Sequence, residues 1–206
     1  MHLSHKIITY NPKALLTVII PVRIGESENI TLNSLTKGKF KDFNVIVCYD
    51  YESKGANAMR NKGFKLLKRK TKYVLFSDND IEWGKNAIQT MIDILEKNNK
   101  VSFVYGAYKM DGQIYCNKEF DVELLKDTNY ISTMTVIRTT CFPYFDESIQ
   151  RLQDWDLWLT MVKKGCKGMY CNQTIFTTKK RNGITFGNPM SYEDAKNILF
   201  VKHNII

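Results

Sequence analysis

Histidine is nearly absent from this chain, and where it occurs it is far from the middle. His2, His5 and His203 are the only three, each close to a terminus, which excludes a histidine-centred triad in the body of the chain. The five cysteines, Cys48, Cys116, Cys141, Cys166 and Cys171, form no C-x-x-C pair. Neither a disulfide framework nor a thiolate zinc site is signalled, and reduced, buried thiols are expected. Four scattered prolines and no repeat or low-complexity tract leave no visible linker. No run approaches the roughly 18 apolar residues of a membrane span, and Met1 to Pro12 lacks the apolar stretch of a secretory signal. The expected compartment is therefore the cytosol, and the sequons at Asn29 and Asn172 carry no weight. Two phosphate cradles are missing as well. No G-x-x-x-x-G-K-[ST] and no G-x-G-x-x-G occurs, so a P-loop kinase or a dinucleotide dehydrogenase lacks its phosphate site.

What remains is a chain of 206 residues, 44% hydrophobic and 25% charged, the size and balance of one soluble globular domain that can bury a core. Apolar runs alternate with helical patterns. Thr17 to Val22, Phe43 to Asp50 and Lys72 to Ser77 read as buried strands. Between and after them come a helix opening near Gly25 to Asn33, a second from Gly55 to Lys70, and a third with Ala87, Ile88, Met91, Ile92 and Leu95 on one face. Near-continuous apolar strands separated by helices predict a parallel sheet covered on both faces. Strands from Val101 and around Ile131 to Arg138 make the expected sheet a mixed one. A helix from Trp155 to Lys164 stops at Gly165, and a short last helix spans Tyr192 to Val201.

The net charge of +9 sits in short clusters that begin at Lys37, Lys65, Lys163 and Lys179. It implies an anionic partner: a nucleotide diphosphate, a phospholipid surface or a nucleic acid. Much of it also reads as solvated helix faces.

In an open parallel sheet, ligands bind beyond the carboxyl ends of the strands. Here those ends are Pro21 to Glu26, Asp50 to Glu52 and Asp78 to Asp80, so carboxylates crowd one rim and need a cation. Asp78 and Asp80 flank Asn79, and two such carboxylates on one side of an extended chain suit Mg²⁺ or Mn²⁺ bridging to phosphates. The same tripeptide is also ordinary turn chemistry.

Metal-held diphosphate without a glycine cradle points to nucleotide-sugar chemistry, and four stretches then resemble glycosyltransferase family 2, a group with the GT-A fold. They are TVIIPV from Thr17; VIVCYD ending at Asp50 followed by Gly55, Arg60, Asn61 and Gly63 in a G-x-x-x-x-R-N-x-G pattern; YVLFSDND ending at Asp80; and QDWDLWLTMVKKG from Gln153. The resemblance implies that Pro21, Val22, Arg23, Glu26, Asp50, Arg60, Asp78, Asn79 and Asp80 bind the nucleotide sugar. It further implies that Asp78 and Asp80 hold the metal and that Asp154 is the general base of an inverting transfer. Read without it, Asp154 is a helix N-cap, Asp156 is a rival base or a dipole partner in the first turn, and Trp155 and Trp158 are core rather than a sugar platform. Arg60 reaches either the diphosphate or a neighbouring carboxylate. Gln153 stands where the family usually has Glu. A C-terminal histidine segment typical of the family is replaced by Lys179, Lys180 and Arg181, expected on a lid over the diphosphate, with His203 a remote alternative metal ligand.

The expectation is one α/β GT-A-like domain with a mostly parallel mixed sheet. Residues 1–100 form the nucleotide-sugar half, and residues 101–206 the acceptor half and tail. The expected donor is a UDP-sugar, because an aspartate suits the uracil imide N–H, and the acceptor a glycan or lipid-linked hydroxyl. Peripheral membrane contact is compatible, and no nucleic acid is expected. The alternatives are a sugar nucleotidyltransferase, for which PVRIGES is poor in glycine and arginine, and a basic module binding nucleic acid or anionic membrane.

Overall fold

A computed structural model describes residues 4–67, 70–180 and 190–205. The elements run β1 (His5–Thr9), β2 (Leu16–Arg23), α1 (Asn29–Lys37), β3 (Phe43–Asp50), α2 (Ala56–Lys65), β4 (Tyr73–Phe76), β5 (Glu82–Trp83), α3 (Ala87–Lys97), β6 (Phe103–Met110), β7 (Gln113–Tyr115), α4 (Val122–Asp127) and β8 (Val136–Arg138). A 3-10 turn (Thr139–Cys141), α5 (Gln153–Lys163), β9 (Gly168–Thr178) and α6 (Tyr192–His203) follow. The strands form one sheet in the order β1-β3-β2-β4-β8-β6-β9-β5, with β7 paired to β6. β2 lies parallel to both β3 and β4, and β6 parallel to β9, while β1, β5, β7 and β8 run antiparallel to their neighbours. This is the expected mixed sheet, but it is not mostly parallel: among the described residues three strand pairings are parallel and five antiparallel, because the strands after α3 join it by hairpin and irregular connections.

Strand alternation splits the core in two. Leu16, Val18, Ile20 and Val22 point to one face, where Leu35 of α1 and Ala87, Met91 and Leu95 of α3 cover them. Ile19, Val74 and Phe76 point to the other, beneath Phe64 of α2 and Trp155, Trp158 and Leu159 of α5. Helix α2 lies so close to β2 that a Cβ on Gly63 would sit 2.5 Å from the Ile19 side chain, so only glycine fits there. Trp155 and Trp158 are fully buried, which settles them as core.

Several boundaries differ from the sequence expectation. Helix α2 ends at Lys65, not Lys70, because Leu66 and Leu67 turn inward against the Ile46, Cys48, Ala58 and Met59 cluster. The strand expected around Ile131 to Arg138 is only Val136–Arg138. Strands β1 and β9 had no counterpart in that reading. Gly165, at φ +79°, ends α5 as expected.

Candidate active site

The parallel strands β2, β3 and β4 end on one rim, and a cavity of about 370 Å³ opens there. Its wall contains Pro21, Val22, Arg23 and Glu26 from the first strand end, Asp50 and Arg60 from the second unit, Asp78, Asn79 and Asp80 from the third, and Asp154 from α5. Residues that lie up to 133 positions apart in the chain thus share one pocket.

Asp50 ends β3 as a buried carboxylate. Its Oδ1 accepts the Lys54 N–H at 2.8 Å and its Oδ2 the Gly55 N–H at 2.7 Å, so the turn into α2 fixes its orientation. One and a half helical turns on, Arg60 is 4% exposed yet lines the cavity. Its guanidinium donates to Asp78 Oδ1 at 2.8 Å and, at 3.3 Å each, to Asn57 Oδ1 and Gln153 Oε1. It also lies over the Phe145 ring. Of the two alternatives for Arg60, the carboxylate contact is the one present. Gln153 gives this cation a neutral acceptor where a glutamate would give a second charge, so its carboxylate partner here is Asp78.

The turn after β4 is built by a residue that sequence reasoning missed. Thr31, buried on α1, donates to the Asp78 carbonyl at 2.7 Å and accepts the Ile81 N–H at 2.9 Å. Asn79 bonds Glu26 Oε2 at 3.1 Å and the Ser27 carbonyl at 3.2 Å. It therefore ties the loop after β2 to this turn instead of facing a ligand alone. Asp78 and Asp80 present hard oxygen donors to the cavity. No group of three or more His, Cys, Asp or Glu side chains that could hold a metal ion occurs among the described residues. The donor set on the wall is the two carboxylates of Asp78 and Asp80, oxygen ligands of the kind that Mg²⁺ or Mn²⁺ takes together with a phosphate ligand.

Across the cavity, α5 enters through Leu152, whose backbone is left-handed (φ 60°, ψ 35°) and which makes no side-chain cap. A β-carbon in that region is strained, and the bend brings the first turn of α5 onto the cavity. The N-cap expectation for Asp154 is thereby corrected: Leu152 holds that position, and Asp154 lies inside the helix. Its Oδ1 accepts the Asn129 amide at 3.0 Å and the Trp155 N–H at 2.9 Å. Burial pushes the Asp154 carboxyl above its ordinary value, against these two bonds, the Arg60 charge and a bond from its own backbone N–H.

Asp156 is no rival base. Two residues on, it points into the protein, 3% exposed, and pairs with Lys202 and His203 of α6 at 2.8 Å each. His203 is thus committed to α5 and is not among the residues lining the cavity, which corrects its place as a remote metal ligand. Lys179 lines a neighbouring hollow that shares Asp80, and the Lys180 N–H meets the Asp111 carboxylate at 3.3–3.4 Å. Arg181 lies outside the described residues. Sequence reasoning also missed Ala56, Met59, Thr133 and the run from Gln150 to Leu152 on the cavity wall. Arg151 among them donates to the Met190 carbonyl at 2.7 Å.

Residues 26–151 match the family described as Glycosyl transferase family 2. The UDP-Glc:alpha-D-GlcNAc-diphosphoundecaprenol beta-1,3-glucosyltransferase WfgD of Escherichia coli is 26% identical over 133 residues, 61% of this chain and 51% of that protein. The putative teichuronic acid biosynthesis glycosyltransferase TuaG of Bacillus subtilis is 25% identical over 173 residues, 80% of this chain and 67% of that one. The chain therefore spans about half the length of the E. coli relative. Among solved structures, S. aureus TarS in complex with UDP-GlcNAc superimposes with a TM-score of 0.73 at 15% identity, over 92% of this chain and 65% of that one. Mannosyltransferase PcManGT from Pyrobaculum calidifontis, with GDP-Man and Mn²⁺, gives 0.61 at 11% identity, over 96% and 72%. No helix among the described residues is long and apolar enough to cross a membrane. With the motif residues gathered on one rim of a GT-A sheet and more than half of the sequence matching the family, the chain belongs to glycosyl transferase family 2.

Proposed function

We propose that the protein transfers a sugar from a nucleoside diphosphate donor, a UDP-sugar, to a hydroxyl of a glycan or lipid-linked acceptor, with inversion at the anomeric carbon. The observation that carries this reading is the single cavity in which Asp50, Arg60, Asp78 and Asp80 face Asp154. Asp50 accepts a hydrogen bond from the nucleobase with its remaining lone pairs. Arg60, paired with Asp78, places its guanidinium near the diphosphate, and Asp78 and Asp80 hold Mn²⁺ or Mg²⁺. When bound there, the ion supplies Lewis-acid stabilisation of charge on the leaving diphosphate.

On the far wall, Asp154 takes the proton of the acceptor hydroxyl as its oxygen attacks the anomeric carbon from the side opposite the diphosphate. A carboxyl pushed up by burial is the better base for it. The UDP-sugars named for the E. coli relative and bound in the TarS structure support the donor, and the Mn²⁺ with PcManGT supports the ion. The diphosphoundecaprenol acceptor named for that relative supports a lipid-linked acceptor and a peripheral approach to a membrane surface by the basic clusters.

Calorimetry with UDP and a panel of other nucleoside diphosphates, in Mn²⁺, Mg²⁺ or chelator, tests the donor site. Wild-type protein is expected to bind UDP only with metal, and Asp80→Ala to lose that binding. Absence of nucleotide binding under every condition would overturn the assignment.

A further inference from the structure

We infer that Asn129 is a positioning residue for Asp154: its amide holds one carboxylate oxygen of the base so that the other meets the acceptor hydroxyl. This rests on Asp154 acting as the base. The hydrogen bonds from Asn129 Nδ2 at 3.0 Å and the Trp155 N–H at 2.9 Å both fall on Oδ1, and the residue's own backbone N–H also reaches the carboxylate. Oδ2 carries neither of the Oδ1 bonds and takes the proton: the acceptor O–H breaks, a carboxyl O–H forms, and the proton later passes to water.

Asn129 lies on the irregular segment between α4 and β8, where nothing regular would hold a side chain still. Two indoles hold the segment instead. Trp155 Nε1 donates to the Leu125 carbonyl at 2.6 Å and Trp158 Nε1 to the Ile131 carbonyl at 2.8 Å, so Asn129 sits between two anchors that both belong to α5. Tyr130 adds a third, its hydroxyl bridging the N–H and carbonyl of Asp121. The buried tryptophans thus brace the partner of the base on their own helix.

The other end of the amide is also informative. Asn129 Oδ1 is buried with no hydrogen-bond partner, a condition that costs desolvation. Turning the amide over would place that oxygen against the carboxylate. The orientation is therefore fixed by Asp154 at the expense of the amide carbonyl, which is what a residue serving the site, and not the stability of its loop, looks like.

Removing the amide donor removes one of the contacts that favour the charged carboxylate. The other groups around Asp154 are Arg60 on α2, Tyr108 on β6, Cys116 just past β7 and Tyr192 on α6. Burial pushes the Tyr108, Cys116 and Tyr192 groups up, so near neutral pH Arg60 is the charged one among them.

The test titrates Asp154 by carboxyl-carbon NMR in the wild type, Asn129→Ala and Asn129→Asp, and follows UDP release from UDP-glucose and UDP-GlcNAc in the same proteins. The titration is expected to move to higher pH in Asn129→Ala and further in Asn129→Asp, although aspartate is the closest in shape. UDP release is expected to fall about tenfold in Asn129→Ala, as for a lost hydrogen bond to a charged group, with the KM for donor unchanged. A loop that only needs the shape of Asn129 gives the reverse order, with Asn129→Asp nearest to wild type, and overturns the inference. An unmoved titration in both variants also overturns it. Asp154→Asn separates the two readings: if it keeps wild-type UDP release, the base assignment fails, whereas loss there with a wild-type Asn129→Ala sinks the positioning role alone.

Discussion

The two walls of the cavity hold their carboxylates in different ways. On the wall formed by β2, β3 and β4, support comes from the βα turns and the helices that follow these strands: Asp50 is gripped by N–H groups four and five residues away, and Asp78 by Arg60 of α2 and, through its carbonyl, Thr31 of α1. On the α5 wall it comes from irregular chain. Asp154 depends on a strained Leu152 and on an amide from a separate loop, twenty-five residues away. A wall held by turn geometry keeps one ligand in one place, whereas a wall held by loops can be reshaped without disturbing the first. This division suits a common nucleotide on one side and variable acceptors on the other.

The sharpest way to break this comparison is Asp154→Asn. If the walls act separately, transfer falls by about 10²- to 10⁴-fold, the usual contribution of a general base, while metal-dependent UDP binding stays at the wild-type level. UDP release and calorimetry on the same preparation read both quantities. A matching loss of UDP binding would mean that the two walls form one coupled unit.

A smaller effect is expected from Asp156, two residues further along α5. Successive helical positions are about 100° apart, so Asp154 and Asp156 face nearly opposite ways, one to the cavity and the other to Lys202 and His203. Asp156→Asn removes the buried partner of both. It should lower stability by about 3 kcal/mol, roughly 6 to 12 °C in Tm, by analogy with other broken buried pairs. UDP release per folded molecule should hold. Thermal unfolding alongside the rate checks this, and a variant that is stable but inactive would make Asp156 part of the chemistry after all.

The same contrast decided what could be read from the sequence. The strand Phe43–Asp50 was legible to the residue because a central strand buried on both faces is a continuous apolar run that ends where the polar rim begins. The carboxylates of that rim were legible for the same reason. Strand β1 was not, since an edge strand with exposed Lys6 and Ile7 carries no burial pattern, and the half-buried β9 has no clean alternation. Thr31 and Asn129 act through contacts that exist only once the chain has folded, across forty-seven and twenty-five residues. The separate fates of Asp154 and Asp156 depend on α6 docking against α5, which no local pattern announces.

The smallest effect concerns the acid side of stability, where two carboxylates on the α5 side should pull in opposite directions. Asp146, just before α5, is held down to about 2 by Lys202 and then by Ser148, against an ordinary value of 3.8. A carboxyl lowered by folding contributes stability that is complete above its unfolded value and is lost as pH falls from there through about 2. Asp154 is raised by folding, so it works in reverse. The native state binds its proton more readily, and stability declines as pH rises from the ordinary aspartate value through the raised one. The Asp146 carboxylate is 36% exposed, and water screens the pair to under about 1 kcal/mol. Urea unfolding between about pH 6 and about pH 2 should resolve the two windows. Asp146→Asn should flatten the profile below the ordinary aspartate value alone, and Asp154→Asn should flatten it above that value alone. Loss of slope in the same window for both variants would mean that the carboxylates of α5 and of the loop before it titrate as one cluster.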